Sequence, residues 1–114
     1  MNDFHKPTTT AEANRKEVID MFLRRTHDEV EQMRREVPAL IQGDVVAWQN
    51  VRFCAQRISG IARTLELGIL SACAKELADL TDEKFAGVKM DAHFLLSVTS
   101  AIEMVAIEHH RLSR

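Results

Sequence analysis

Apolar positions in this chain recur at intervals of three and four, the period of helices with one buried face. Thr9-Thr10-Ala11-Glu12 has the form of a capping box with Thr9 as the N-cap. Val18, Met21, Phe22, Val30 and Met33 then follow at helical spacing as far as Leu40. About thirty residues is long for one helix, and Thr26-His27-Asp28 offers a place to break. Pro38 has no amide to donate and should bend or restart the helix near its end. The pattern therefore predicts two consecutive helices, over 10–25 and 27–42, behind a loose polar tail at 1–8.

Gly43-Asp44 reads as a stop and a start, with glycine after one helix and aspartate as N-cap of the next. Trp48, Val51, Ala55, Ile58, Ala62 and Leu65 then form the most regular apolar stripe in the chain. Gly68 is expected to end that helix. Ile69, Leu70, Cys73, Leu77 and Leu80 carry another stripe to Thr81, and Phe85-Ala86-Gly87-Val88 reads as a short link. Asp91 is placed to cap a last helix with core positions Leu95, Val98, Ile102, Val105 and Leu112. Short connections favour antiparallel neighbours. The expectation is an all-α, up-down antiparallel four-helix bundle with an additional N-terminal helix, occupying 9–114.

Composition narrows the class further. A chain of 114 residues is one domain's worth and too short for a multidomain enzyme. Four glycines and two prolines are too few for a many-turned sandwich or barrel. Fifteen Lys and Arg against seventeen Asp and Glu, interleaved in sign, give no basic excess or stripe for a nucleic acid. No apolar run approaches the roughly 20 residues that span a bilayer, and the N-terminus lacks a secretory pattern. A cytoplasmic location, a monomeric state and no membrane or nucleic-acid partner are expected.

Candidate chemistry is sparse. No Glu has a His three residues on, which disfavours a di-metal site in the bundle. There is no zinc-protease helix motif and no glycine-rich loop for a nucleotide phosphate. Cys54 and Cys73 lack CxxC spacing and read as buried, inert thiols. His5 lies in the tail, and His27 is placed to help cap a helix at the expected break. His93, His109 and His110 read as surface residues near helix ends. No cofactor, metal or self-contained catalytic site is expected.

One segment carries more. Ala47 to Leu67, with the run Ala55-Gln56-Arg57-Ile58-Ser59-Gly60-Ile61-Ala62-Arg63-Thr64-Leu65 at its centre, resembles the signature helix of histidine-containing phosphotransfer (HPt) domains. That pattern has an aromatic start and then approximately A-H-x-L-K-G-S-A-x-x-L-G. Ala55, Ile58, Gly60 and Leu65 match it, and Ser71-Ala72-Cys73-Ala74-Lys75-Glu76-Leu77 looks like the stretch that follows. Phe22-Leu23 and the Ile41–Asp44 turn also stand in HPt-like places, so the resemblance covers roughly 15–110. It implies a phosphorelay module whose partners are response-regulator receiver domains or a sensor histidine kinase.

Two departures matter. Gln56 stands where the resemblance puts the phosphoaccepting histidine, and Ser59 where it puts a lysine. A carboxamide nitrogen is delocalised into its carbonyl and cannot act as a nucleophile toward an aspartyl phosphate. Gln56 is either natural, in a pseudo-phosphotransfer protein, or a His→Gln form of an active one. In both cases Arg52, Gln56, Ser59, Gly60 and Arg63, spaced by three, four and seven, are expected to share an outward partner-binding face. A glycine within a helix costs about 1 kcal/mol relative to alanine, offset either by the close approach of a partner or by tight packing within the bundle. The alternative is a helical adaptor or dimerisation protein with no phosphorelay role.

Overall fold

The computed structural model describes residues 5–85 and 91–114, with side chains described over 10–83 and 91–114. Among the described residues five α-helices run α1 His5–Arg35, α2 Val37–Ile41, α3 Val45–Thr64, α4 Gly68–Phe85 and α5 Ala92–Leu112. No strand occurs among the described residues. The four long helices form a bundle in which α1 packs on α3 and α5, and α4 joins α3 to α5 on the far side.

The expected break at Thr26-His27-Asp28 is absent, and α1 runs through it. Thr26 is buried, and its hydroxyl donates to the carbonyls of Phe22 at 2.8 Å and Leu23 at 3.2 Å. Bonding back to the preceding turn satisfies the hydroxyl inside the helix. His27 accordingly sits within α1 and caps nothing. The break falls instead at Glu36, where Pro38 occupies the first turn of α2 and its missing N–H goes unnoticed. α1 also begins ahead of Thr9, taking in residues 5–8, which the sequence assigns to a tail; residues 1–4 lie outside the described part. At 1.5 Å per residue this helix is about 46 Å long, and it sets the long axis of a molecule measuring 65 × 22 × 20 Å.

Gly43 turns the chain with φ 78°, and the Asp44 carboxylate accepts from the amides of Val46 and Ala47, capping α3 as expected. The next turn differs from expectation. Gly68 does not end α3; it begins α4. The Leu67 amide donates to Ala62 at 2.8 Å and the Glu66 amide to Arg63 at 3.1 Å, the paired bonds of a Schellman C-cap. Glu66 holds the left-handed position there, with φ 61°. This tight turn folds α4 back antiparallel on α3. Asp91 caps α5 through the Phe94 amide at 2.7 Å. Phe85 belongs to α4, and the rest of the expected link lies outside the described residues.

The core follows the predicted stripes only in part: on α4 Leu70 and Leu77 are buried, but Ile69 is 60% exposed and Cys73 and Leu80 are half-buried. Trp48, Val51, Ala55, Ile58 and Ala62 of α3 are all buried, with Leu65 half-buried beside them. Trp48 stacks on Phe94 with ring centroids 5.9 Å apart. On α5, Val98, Ile102 and Val105 are buried, whereas Leu95 and Leu112 are only half-buried. His109 is a further correction. It is 5% exposed, not a surface residue, and its Nε2 lies 2.7 Å from the Leu23 carbonyl of α1. A carbonyl only accepts, so Nε2 carries the proton.

Candidate functional site

The five residues expected on one outward face of α3 divide into two sets. Gln56, Gly60 and Arg63 are exposed, while Arg52 and Ser59 are half-buried and turned toward α4. Helix geometry accounts for the split. At about 100° per residue, Arg52 and Ser59 lie roughly 40° and 60° to one side of Gln56, and Gly60 roughly 40° to the other. The first pair therefore meets α4. Arg52 forms an ion pair with Asp82 at 3.1 Å. Ser59 Oγ donates to the Ser71 carbonyl at 3.1 Å, and Ser71 Oγ returns a bond to the Ser59 carbonyl at 3.0 Å. A shared face for all five is thus corrected to an exposed strip of three with two residues beneath its edge.

Gly60 has open space around it. A side-chain carbon built there meets nothing within 4 Å. Packing inside the bundle therefore does not require a glycine at this position. Gln56 sits one turn earlier at the rim of an open depression of about 740 Å³, lined with Glu29, Asn50, Phe53, Cys54 and Arg57.

On the α1 side, Arg57 is tied to Glu29 by an ion pair and a 3.1 Å hydrogen bond from Nε. That carboxylate pushes the guanidinium pKa up. Beyond this pair a smaller groove of about 320 Å³ continues between α1 and α3, walled by Val18, Met21, Phe22, Ile61 and Leu65. Val18 and Met21 read in the sequence as core positions, yet they are 49% and 53% exposed. Phe53 is 62% exposed beside Gln56. The sequence reading missed this apolar border. Its signal was present: the apolar positions of α1 and α3 cover more of each helix than one stripe can bury.

The remaining candidates stay outside this face. Neither thiol is buried as expected: Cys73 is half-buried on α4, and Cys54 is half-buried on the side of the depression. Burial pushes both thiols above their ordinary value, most strongly as the first cause in each case. Few thiolates form under those conditions, and reactivity falls accordingly. Among the described residues no group of His, Cys, Asp and Glu is arranged to hold a metal ion, and no helix is long and apolar enough to cross a membrane.

Comparison with protein-family models, with curated proteins and with solved structures finds no match to this chain. Gln56 offers a carboxamide that donates and accepts hydrogen bonds but does not attack phosphorus. Around it lie an unobstructed backbone at Gly60, an apolar border and an exposed arginine.

Proposed function

We propose that this chain is an HPt-like module of a two-component phosphorelay, which docks receiver domains or a sensor histidine kinase through the Gln56–Gly60 strip of α3. The observation that carries the reading is Gly60: a helix-interior glycine, exposed, with no intramolecular neighbour to explain the missing side chain. A second feature supports it. The closing glycine of the HPt-like pattern falls on Glu66, and Glu66 has the positive φ that a glycine serves. The antiparallel arrangement of α1, α3, α4 and α5 is also compatible with such a module.

With Gln56 at the acceptor position, the chain binds its partner and leaves the phosphoryl group where it is. The experiment uses Gln56→His and the parent chain, each incubated with phosphorylated receiver domains. The expected result is acid-labile phosphate on residue 56 of the variant and none on the parent. Acid-labile label on the parent would refute the assignment of the site. Gly60→Glu should abolish receiver binding by both proteins.

The exposed border of Val18, Met21, Phe53 and Ile61 favours a second reading, a helical adaptor or dimerisation protein with no phosphorelay role. Binding that survives Gly60→Glu but fails when Met21 and Ile61 become charged would select that reading.

A further inference from the structure

The depression beside Gln56 and the smaller groove beyond it form one channel along the seam between α1 and α3. Both are lined by Glu29 and Arg57, whose ion pair bridges the two walls at mid-length. The α1 wall runs from Val18 to Gln32, and the α3 wall runs opposite to it from Leu65 back to Asn50, so the walls are antiparallel. At 1.5 Å per residue the α3 wall is about 22 Å long. One half is apolar, with Val18, Met21 and Ile61 exposed around Phe22 and Leu65. Phe53 stands exposed in the other half.

An antiparallel helix pair with an unfilled apolar seam is half of a four-helix bundle. A second copy supplies the other half when a two-fold axis runs along the groove between the molecules. Each copy's α1 then lies over the other's α3, again antiparallel, and every level of the groove meets the same level of its mate. The apolar halves close on each other. Charge selects this arrangement: Glu29 and Arg57 stand at one level on opposite walls, so the two-fold sets each against its counter-charge. A two-fold across the groove would instead put arginine on arginine and glutamate on glutamate.

We infer that the α1–α3 groove is a self-association surface, on which a second copy packs groove to groove with reciprocal Arg57–Glu29 ion pairs across the interface. The inference stands under either reading of the function above. Two helices about 10 Å wide over this length give roughly 450 Å² per copy in projection, below the ~800 Å² of a standard interface. The dimer is therefore weak and exchanges readily.

The test is analytical sedimentation of the purified chain over a range of concentrations. A dissociation constant of about 10–100 μM is expected. Arg57→Glu alone and Glu29→Arg alone each set like charges across the interface and should weaken self-association at least tenfold, a flagged order of magnitude of about one decade. An equimolar mixture of the two variants should recover the parent's dimer, because opposite charges then face each other again. Mixing would not repair a chain that had merely lost its fold. Ile61→Glu should be monomeric, since its charge would enter the apolar half with nothing to pair it. A parent still monomeric at about 1 mM, a mixture no more associated than its components, or Ile61→Glu as dimeric as the parent overturns the inference. None of these outcomes bears on labelling of Gln56→His, so the proposed function stands or falls separately.

Discussion

Ser59 and Ser71 exchange hydrogen bonds, each hydroxyl donating to the other residue's carbonyl across the α3–α4 interface, at 3.1 and 3.0 Å. The pair lies directly beside the strip that carries Gln56 and Gly60, so it fixes how far α3 is rotated against α4. Each bond should contribute about 1 kcal/mol. Ser71→Ala and Ser59→Ala are each expected to lower urea-unfolding stability by that amount. Ser59→Lys, which installs the residue the HPt-like pattern calls for, should cost at least as much because its longer side chain must leave the interface.

Gly60→Ala provides the opposite sign. The added methyl meets open space and the position is inside a helix, so the substitution should stabilise the protein by about 1 kcal/mol. Gly60→Glu should leave the thermal midpoint close to that of the parent while removing receiver binding. A large loss of stability in either variant would mean that the glycine serves the bundle, contrary to the reading given to this face.

Glu66 holds φ 61° at the end of α3, a conformation that costs a side-chain-bearing residue about 1 kcal/mol or more. Its ion pair with Arg15 is 3.9 Å long between exposed groups and offsets little of that. Glu66→Gly should therefore raise stability by about 0.5–1 kcal/mol, after the greater freedom of glycine in the unfolded chain is counted. Chemical denaturation of the two proteins checks it.

His109 and His110 are adjacent in sequence and should behave differently. His109 is buried and ties α5 to the Leu23 carbonyl of α1, so His109→Ala removes a hydrogen bond and leaves a cavity. A loss of about 2–4 kcal/mol is expected. His110 is exposed, and His110→Ala should change stability by less than about 0.5 kcal/mol.

Acid should weaken the bundle through two carboxylates on α5. Arg111 hydrogen-bonds Glu108 through two nitrogens, and Arg34 does the same to Glu103, holding both carboxyl groups below their ordinary value of 4.5. A lowered folded-state pKa means stability that is complete above the unfolded value and drains away as pH falls through the folded one. Stability should be flat at neutral pH and decline from roughly pH 5 downward. Glu108→Gln should be less stable than the parent at pH 7 and show a shallower decline, measured by urea titrations at pH 7 and pH 4.

Much of this architecture was legible in the chain. The α3 stripe from Trp48 to Ala62 and the caps at Asp44 and Asp91 depend only on local spacing and on side chains within three residues of the amides they satisfy. Thr26 misled because its hydroxyl has two local options, a cap or a bond to the preceding turn, and burial against the bundle selected the second. Gly68 misled for a similar reason: Glu66 took the left-handed position, and glycine was not needed there. His109 resembled an electrostatic ornament at a helix end until α1 supplied a carbonyl.

The candidate site divides in the same way. Residue types and intervals alone determined that Gln56 cannot accept a phosphoryl group and that Gly60 interrupts a helix one turn later, because both follow from covalent chemistry and the pitch of a helix. Which neighbours flank that helix was not written in any local interval. Only the packing of α4 and α1 on either side decided that Arg52 and Ser59 are drawn under the edge and Arg57 is held by Glu29. Gln56, Gly60 and Arg63 remain outside because, among the described residues, no helix covers that part of α3. Contacts between residues distant in sequence depend on how whole helices pack, and a period of three and four does not encode that.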